Sequence, residues 1–260
     1  MIRLPVCKIE VELRQATGAE DMLLLEGGSD VVQTSIALVQ RLAYRRDGEE
    51  WDAAALPVPD LEALLLEMRH RWFGDVVASR GRCPVEECGT VTDVSFRISE
   101  YLTHHRALLD QRRLPGNVAV LPEQEWFQLT GSEVQFRLVT AGDLAAAVRA
   151  AHPEQELARR TIRTESARGW KRAQTAMEAL APPLSGEIEG QCPECGARAR
   201  FWFDAQSYVQ REMRYEAEFL YQDVHLLARN YHWSEEKILS LPSGRRVQYA
   251  ELLMRGAGGD

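Results

Sequence analysis

The sequence predicts an α+β fold that is mainly α: a helical scaffold around a small ribbon made from two repeated β-knuckle units. Three observations predict it. Apolar residues recur at helical spacing over long stretches, above all in the last quarter of the chain. Short alternating segments flank two tight turns. Those turns carry four of the five cysteines, in a context that repeats.

Taken in order, Val6 to Leu13 alternates apolar and polar residues, which predicts a half-buried strand with Cys7 on its apolar face. Val31, Ser35, Leu38 and Leu42 share one helical face, so a helix is expected over 31–42. After Pro57 and Pro59, Asp60 is placed to cap a helix carrying Leu61, Leu64, Leu65 and Met68, and Gly74 to end it beyond Trp72 and Phe73. Val91 to Ile98 reads as a strand and Tyr101 as the centre of a short helix. Trp126 to Leu138 reads as a hairpin bent at Thr130-Gly131-Ser132. Thr140-Ala141-Gly142-Asp143 has the form of a capping box with Asp in place of Glu. Helix is expected from Pro153 to Leu180, closed by Pro182 and Pro183. Tyr208, Tyr215, Phe219, Val224, Leu227 and Tyr231 approximate an apolar stripe, which predicts one long helix. Ser234 caps a short helix running to Leu241-Pro242, and a final helix carries Val247, Tyr249, Leu252 and Leu253 before a loose tail over 256–260.

The cysteine turns are the most informative part. One reads Gly81-Arg82-Cys83-Pro84-Val85-Glu86-Glu87-Cys88-Gly89, the other Gly190-Gln191-Cys192-Pro193-Glu194-Cys195-Gly196. Both follow Gly-x-Cys-Pro…Glu-Cys-Gly, with two extra residues in the first loop. Counting onward from Cys88 and Cys195, Val94 matches Phe201, Phe96 matches Phe203 and Tyr101 matches Tyr208. Each unit is therefore strand, cysteine turn, strand and the start of a helix. Structural zinc is tetrahedral and binds four thiolates at about 2.3 Å, and a Cys-x₂-Cys turn brings two sulfurs to one ion. Glycine after the second cysteine permits the positive φ such turns need. The expectation is one structural Zn²⁺ per chain on Cys83, Cys88, Cys192 and Cys195, as a zinc ribbon. Buried free thiols, a redox dithiol and separate sites completed by other ligands or a second chain are the alternatives. A redox Cys-x-x-Cys should open a helix in a βαβ pattern, whereas strands are expected on both sides here. With 103 residues between Cys88 and Cys192, one ion would join remote parts of the chain.

Composition narrows the function classes. Thirty-nine acidic against 31 basic side chains give a net charge of −8, which argues against broad attraction to nucleic acid or anionic membranes. Of the basic residues only Lys8, Lys171 and Lys237 are lysine. No apolar run approaches the roughly 20 residues of a membrane helix, and Met1-Ile2-Arg3-Leu4-Pro5 lacks a secretory apolar segment, so a cytoplasmic protein without membrane insertion is expected. An odd cysteine count in such a chain argues against a disulfide framework and leaves Cys7 as a small core residue.

No other motif competes. His70, His104, His105, His152, His225 and His232 form no His-Glu-x-x-His, and none lies within a few residues of a cysteine pair. His225 and His232 could share a helix face, with packing or surface roles the simpler reading. No phosphate loop, dinucleotide fingerprint or nucleophile elbow occurs. Arg159, Arg160, Arg163, Arg168, Lys171 and Arg172 are interleaved with Glu154, Glu156 and Glu165, the pattern of a solvated face. Tyr231-His232-Trp233 sits at a helix corner, where aromatics pack the corner itself or serve an interface.

Several stretches together carry a resemblance. They are Leu13-Arg14…Thr17-Gly18-Ala19-Glu20-Asp21, Arg71-Trp72-Phe73-Gly74-Asp75, the two cysteine knuckles and Phe136-Arg137-Leu138…Gly142-Asp143-Leu144. They close with Val224-His225…Leu227-Ala228…Tyr231-His232-Trp233-Ser234-Glu235…Leu241-Pro242…Arg245-Arg246…Tyr249. Over nearly its whole length the chain resembles the T-even-type phage baseplate family, including relatives encoded with bacterial extracellular contractile injection systems. The longer Cys83/Cys88 loop departs from a plain Cys-x₂-Cys knuckle. The resemblance implies a baseplate or hub component, or a factor that helps assemble one, with baseplate, hub or spike proteins as partners and no catalytic residues.

The expected function is therefore a non-enzymatic structural or assembly role, with a homo-oligomer compatible. A zinc-ribbon nucleic-acid binder and a thiol–disulfide protein using Cys192 and Cys195 are the rival readings. The expected organisation is residues 1–75, a first knuckle unit over 76–103, a hairpin and helical insertion over 104–184, a second knuckle unit over 185–204 and C-terminal helices over 205–260, all one interlocked unit.

Overall fold

The computed structural model describes residues 1–111, 115–122, 125–164 and 166–257. About half of the chain is helical, and the strands form small antiparallel sheets. Strands β1 (Ile2–Arg3) and β2 (Glu10–Leu13) lead to helices α1 (Gly18–Glu26) and α2 (Val31–Leu42), and β3 (Ala43–Arg45) closes a sheet of order β1-β2-β3. A 3₁₀ turn (Ala53–Ala55) precedes α3 (Val58–Phe73), the hairpin β4 (Val76–Arg82)/β5 (Val91–Arg97) and α4 (Ile98–Gln111). Strands β6 (Val118–Val120), β7 (Trp126–Leu129) and β8 (Gln135–Arg137) are followed by α5 (Ala141–Val148), α6 (Pro153–Thr161), β9 (Ile162–Arg163) and α7 (Ala167–Leu180). The hairpin β10 (Gly186–Gln191)/β11 (Arg198–Phe203) then opens onto α8 (Ala205–Ala217), α9 (Leu220–Tyr231), α10 (Glu235–Leu239) and α11 (Ser243–Ala257).

Helix α3 is the centre of the packing, because Leu61, Ala63, Leu64, Leu65, Leu66 and Met68 are all fully buried. An apolar surface all round a helix demands neighbours on every side. It belongs to one core with residues of α2, α4, α5 and α8. A second, smaller core joins the sheet β6-β7-β8-β9 to α6 and α7 through Leu129, Phe136, Ala158, Ala173 and Met177.

Several expected elements lie where the periodicity placed them. Helix α2 spans Val31–Leu42, with the Asp30 carboxylate accepting from the Gln33 N–H. Thr140 and Asp143 form the capping box of α5, and Arg137 adds two hydrogen bonds to Asp143 at 2.6 and 2.8 Å. Gly74 ends α3 at φ 89° and Gly131 bends the β7/β8 hairpin at φ 70°. Ser234 caps α10.

Others differ. The strand expected over Val6–Leu13 begins only at Glu10, because Lys8 takes φ 62° and the chain turns there. Asp60 does not cap its own helix, which starts at Val58. Its buried carboxylate accepts instead from the N–H groups of Val6 and Cys7, at 2.7 and 2.8 Å, and so caps that remote turn. The short helix around Tyr101 extends to Gln111. The helix expected over 153–180 is two helices split by β9, whose Ile162 pairs with Phe136. The long helix expected through Tyr208 and Tyr231 breaks between α8 and α9, leaving Tyr215 and Phe219 exposed rather than in the core. His232 is left-handed at the end of α9 and so does not share a helix face with His225. Val247 and Leu252 on α11 are likewise exposed. In the arginine-rich stretch, Arg159 and Arg160 both hold Glu156 at 2.7 Å on the surface, and Glu165 lies outside the described residues. Of the tail expected over 256–260, α11 reaches Ala257 and residues 258–260 lie outside the described residues.

Candidate metal centre

The two cysteine turns sit at the tips of two antiparallel ribbons, and the ribbons have the same register. In each, the glycine two residues before the first cysteine pairs with the residue four after the second: Gly81 with Thr92 and Gly190 with Ala199. At the base, Val77 faces Phe96 and Gly186 faces Phe203, again equivalent positions. The ribbons meet through these repeats. Phe96 and Phe203 pack edge to face, with centroids 5.1 Å apart. Phe96–Tyr101 (5.3 Å, 51°) and Phe203–Tyr208 (5.6 Å, 52°) are near copies of one another.

Helix α3 fixes the bases of both ribbons. The first leaves directly from its C-terminal Gly74, where Arg69 donates to the Gly74 carbonyl at 2.5 Å and pairs with Glu212 of α8 at 2.6 Å. Asp75 then accepts from the Ser99 N–H and hydroxyl, both at 2.8 Å, closing that ribbon onto α4. The second is held by buried Glu62, which accepts from the N–H groups of Leu184 (2.8 Å) and Ser185 (3.2 Å) and from the Ser185 hydroxyl (2.7 Å). Glu62 did not stand out in the sequence, and Asp75 did so only within the Arg71–Asp75 stretch, since each acts through a partner that only the fold brings near.

At the tips, the Cys83 N–H donates to the Thr90 carbonyl and the Cys192 N–H to the Ala197 carbonyl, both at 2.9 Å. Gly89 and Gly196 take φ 51° and 70°, as a turn after the second cysteine requires. Gly196 donates to the carbonyl four residues back, that of Cys192, at 2.9 Å; Gly89 does the same to Val85 at 2.8 Å. The two extra residues of the first loop therefore sit between Cys83 and the turn proper, which keeps its shape.

The result brings Cys83, Cys88, Cys192 and Cys195 together, with all four sulfurs within 4.8 Å of one another. Two of the separations cross between the ribbons: Cys83 to Cys195 is 3.6 Å and Cys88 to Cys192 is 3.8 Å. Four sulfurs at about 2.3 Å from a tetrahedral ion are about 3.8 Å apart. Cys83 and Cys192 are buried, Cys88 is half-buried and Cys195 is exposed. Cys7 stands apart, half-buried in its turn. Among the described residues this is the one convergence of His, Cys, Asp and Glu side chains at metal distance, and none of the histidines belongs to it.

The electrostatics suit a cation. The Thr90 hydroxyl, 3.3 Å from Cys88 Sγ, together with the Thr90 N–H, lowers the Cys88 thiol to about 7. The Val85 N–H favours a Cys83 thiolate, yet loss of solvent and the three neighbouring thiols push that group up to about 12. Cys195 is also raised, despite support from the Ala197 N–H, because it too loses solvent. One thiolate forms readily here, and more of them within 4 Å repel one another. A divalent thiophilic ion removes that repulsion and takes the place of the protons.

A separate cavity of about 770 Å³ lies between the ends of α3 and α11. Its Arg246 is held by Asp21 and Asp223, at 2.8 and 3.1 Å, while its buried Nη1 has no hydrogen-bond partner among the described residues. No helix among the described residues is long and apolar enough to cross a membrane. Comparisons with protein-family models, with curated proteins and with solved structures find no match to this chain.

Proposed function

We propose that this chain is a non-enzymatic structural or assembly component of a phage-like contractile baseplate, stabilised by one structural zinc. The observation that carries the metal reading is the spacing of four thiol sulfurs, 3.6 and 3.8 Å across two ribbons, close to the edges of a zinc–thiolate tetrahedron. Cys83, Cys88, Cys192 and Cys195 are its ligands, in a zinc ribbon of two knuckles. All four coordination positions of the ion are then taken by protein, leaving no open position for substrate, which is the arrangement of structural rather than catalytic zinc. The ion ties β4/β5 to β10/β11 and so fixes the ends of the insertion between them. The baseplate assignment is supported by the resemblance of the chain's motifs to that family.

Two measurements test the two halves separately. Elemental analysis of freshly purified, reduced protein should give one zinc per chain; a metal-free folded protein overturns the metal assignment. Purification of the tagged chain from cells assembling contractile particles should recover baseplate, hub or spike proteins by mass spectrometry. Normal particle assembly after deletion of the gene overturns the structural role.

A further inference from the structure

We propose that the seam between the two ribbons is a docking groove for an acidic, apolar-anchored segment of a partner protein. The proposal rests on the assembly reading for the kind of partner and on the groove's own chemistry for the recognition. The groove holds about 400 Å³ between β4 and β11 and the start of α8. Arg80, Arg82, Arg200 and Arg211 line it against a single carboxylate, Asp204, in a chain whose net charge is −8. Asp204 is already engaged as the N-cap of α8, accepting from the Ser207 N–H and hydroxyl at 2.9 and 3.0 Å.

The arginines are available. All four are exposed. Arg82 donates only to the Gly89 carbonyl, at 3.3 Å, and Arg211 lies over the Tyr208 ring; neither has a carboxylate at ion-pair distance among the described residues. Arg80 has Asp93 at 3.5 Å, in a pair more than four-fifths exposed on both sides. Arg200 has Glu187 and Glu189 at 3.5 and 3.3 Å, on the surface as well. Such exposed pairs are weak and exchange readily for a better-desolvated carboxylate.

Beside them Trp202 is 73% exposed. Indole is expensive to leave in water, and Trp with Arg is the composition of interface hot spots. Its strand is fixed by the Phe201 contact on Gly81 and by the aromatic packing below, so the platform is preorganised. Guanidinium forks match carboxylates, and Trp202 offers a face to one apolar side chain.

The test uses the full chain in its metal-loaded form and a fluorescein-labelled decapeptide of Glu and Asp around a central Leu-Phe pair, read by fluorescence anisotropy. Saturable binding that weakens with salt is expected, with partial quenching of tryptophan emission in the parent that Trp202→Ala lacks, and the Gln/Asn version of the peptide should not bind. Arg80→Glu with Arg211→Glu should weaken binding by about tenfold or more, and Trp202→Ala should abolish the preference for Leu-Phe over Ser-Ser at the centre. Arg80→Gln with Arg211→Gln repeats the measurement without adding negative charge, should the first pair fold poorly; unchanged zinc content certifies each variant. Absence of saturable binding, or equal binding by the variants, overturns the proposal. So does tighter binding of a single-stranded oligothymidylate through the same residues, which would make the groove a nucleic-acid site. Because the peptide is synthetic, these failures leave the assembly role to its own test.

Discussion

The ring of Phe201 rests on the backbone of Gly81, so close that a β-carbon there would lie 1.7 Å from the ring's Cε1. The contact joins the two ribbons just behind the sulfur cluster. Its counterpart in the repeat is far looser: a β-carbon at Gly190 would meet the same ring at 3.7 Å, ordinary van der Waals contact. The two glycines occupy matching places in the sequence, but the ring presses closely on only one. Gly81→Ala should therefore cost about 1–3 kcal/mol through overpacking. Gly190→Ala should lie within about 0.5 kcal/mol of the parent. Denaturant unfolding of both variants, each saturated with metal, measures the difference; equal effects would mean that the ribbons are not pressed together at this point.

The five thiols should react in a definite order. Burial, reinforced by the neighbouring Asp60 carboxylate, pushes the Cys7 thiol up to about 12, so it stays protonated and slow at neutral pH. The other four are shielded by the ion in the proposed holo state. Metal-loaded protein at neutral pH should thus show almost no fast thiol. After chelation Cys88 should be alkylated first, with a rate rising through pH about 7, while Cys7 is still accelerating well above pH 10. Peptide mapping after timed alkylation resolves the sites. If Cys192 or Cys195 reacted fast before chelation, a redox dithiol would be the better description.

Glu62 should give a pH dependence of known sign. Its carboxylate is buried and, although three donors from Leu184 and Ser185 favour the charged form, burial outweighs them and raises its pKa above the ordinary 4.5. The native state then keeps the proton at pH values where the unfolded chain has lost it. Stability from this group falls as pH rises from 4.5 toward the raised native value. Glu62→Gln removes that slope, so the stability difference between parent and variant should shift in the variant's favour over this window. Glu62→Ala orphans two backbone N–H groups, at about 1–3 kcal/mol each, and should loosen the second ribbon at all pH values. Urea unfolding across the pH range at fixed free zinc measures both.

What was legible in the sequence follows from how locally each feature is determined. The limits of α2, the Thr140–Asp143 box and the paired cysteine turns depend on residues a few positions apart, and periodicity and turn chemistry report such relations directly. The repeat even placed Phe96, Phe203, Tyr101 and Tyr208, which meet in one aromatic cluster. Long-range partners were not legible. Asp60 looked like a cap for its own helix, yet its carboxylate serves a turn more than fifty residues earlier. The stripe from Tyr208 to Tyr231 has helical period throughout, but α8 packs on α1 and α3 while α9 turns to meet α10 and α11. No single straight helix reaches both sets of neighbours, and the break at 218–219 leaves Phe219 in water.

The attachment of α11 should depend on one arginine. Arg246 is 2% exposed, and its guanidinium bridges Asp21 of α1 and Asp223 of α9, at 2.8 and 3.1 Å. Burial raises both carboxylates, while the arginine pulls them back toward the charged form. Arg246→Leu removes the cation and leaves two carboxylates facing each other in a buried place, a change expected to cost about 3–5 kcal/mol. Both native pKa values should climb further, so the variant's deficit should grow as pH rises from 3.8, the ordinary aspartate value, through neutrality. Adding Asp21→Asn and Asp223→Asn to Arg246→Leu removes the uncompensated charges and should recover much of the loss, even though no ion pair remains. Hydrogen exchange resolved by peptide should show fast opening of α9 and α11 in the single variant and slower opening in the triple one. If the triple variant were no more stable than the single, the arginine would act through its packed volume rather than its charge.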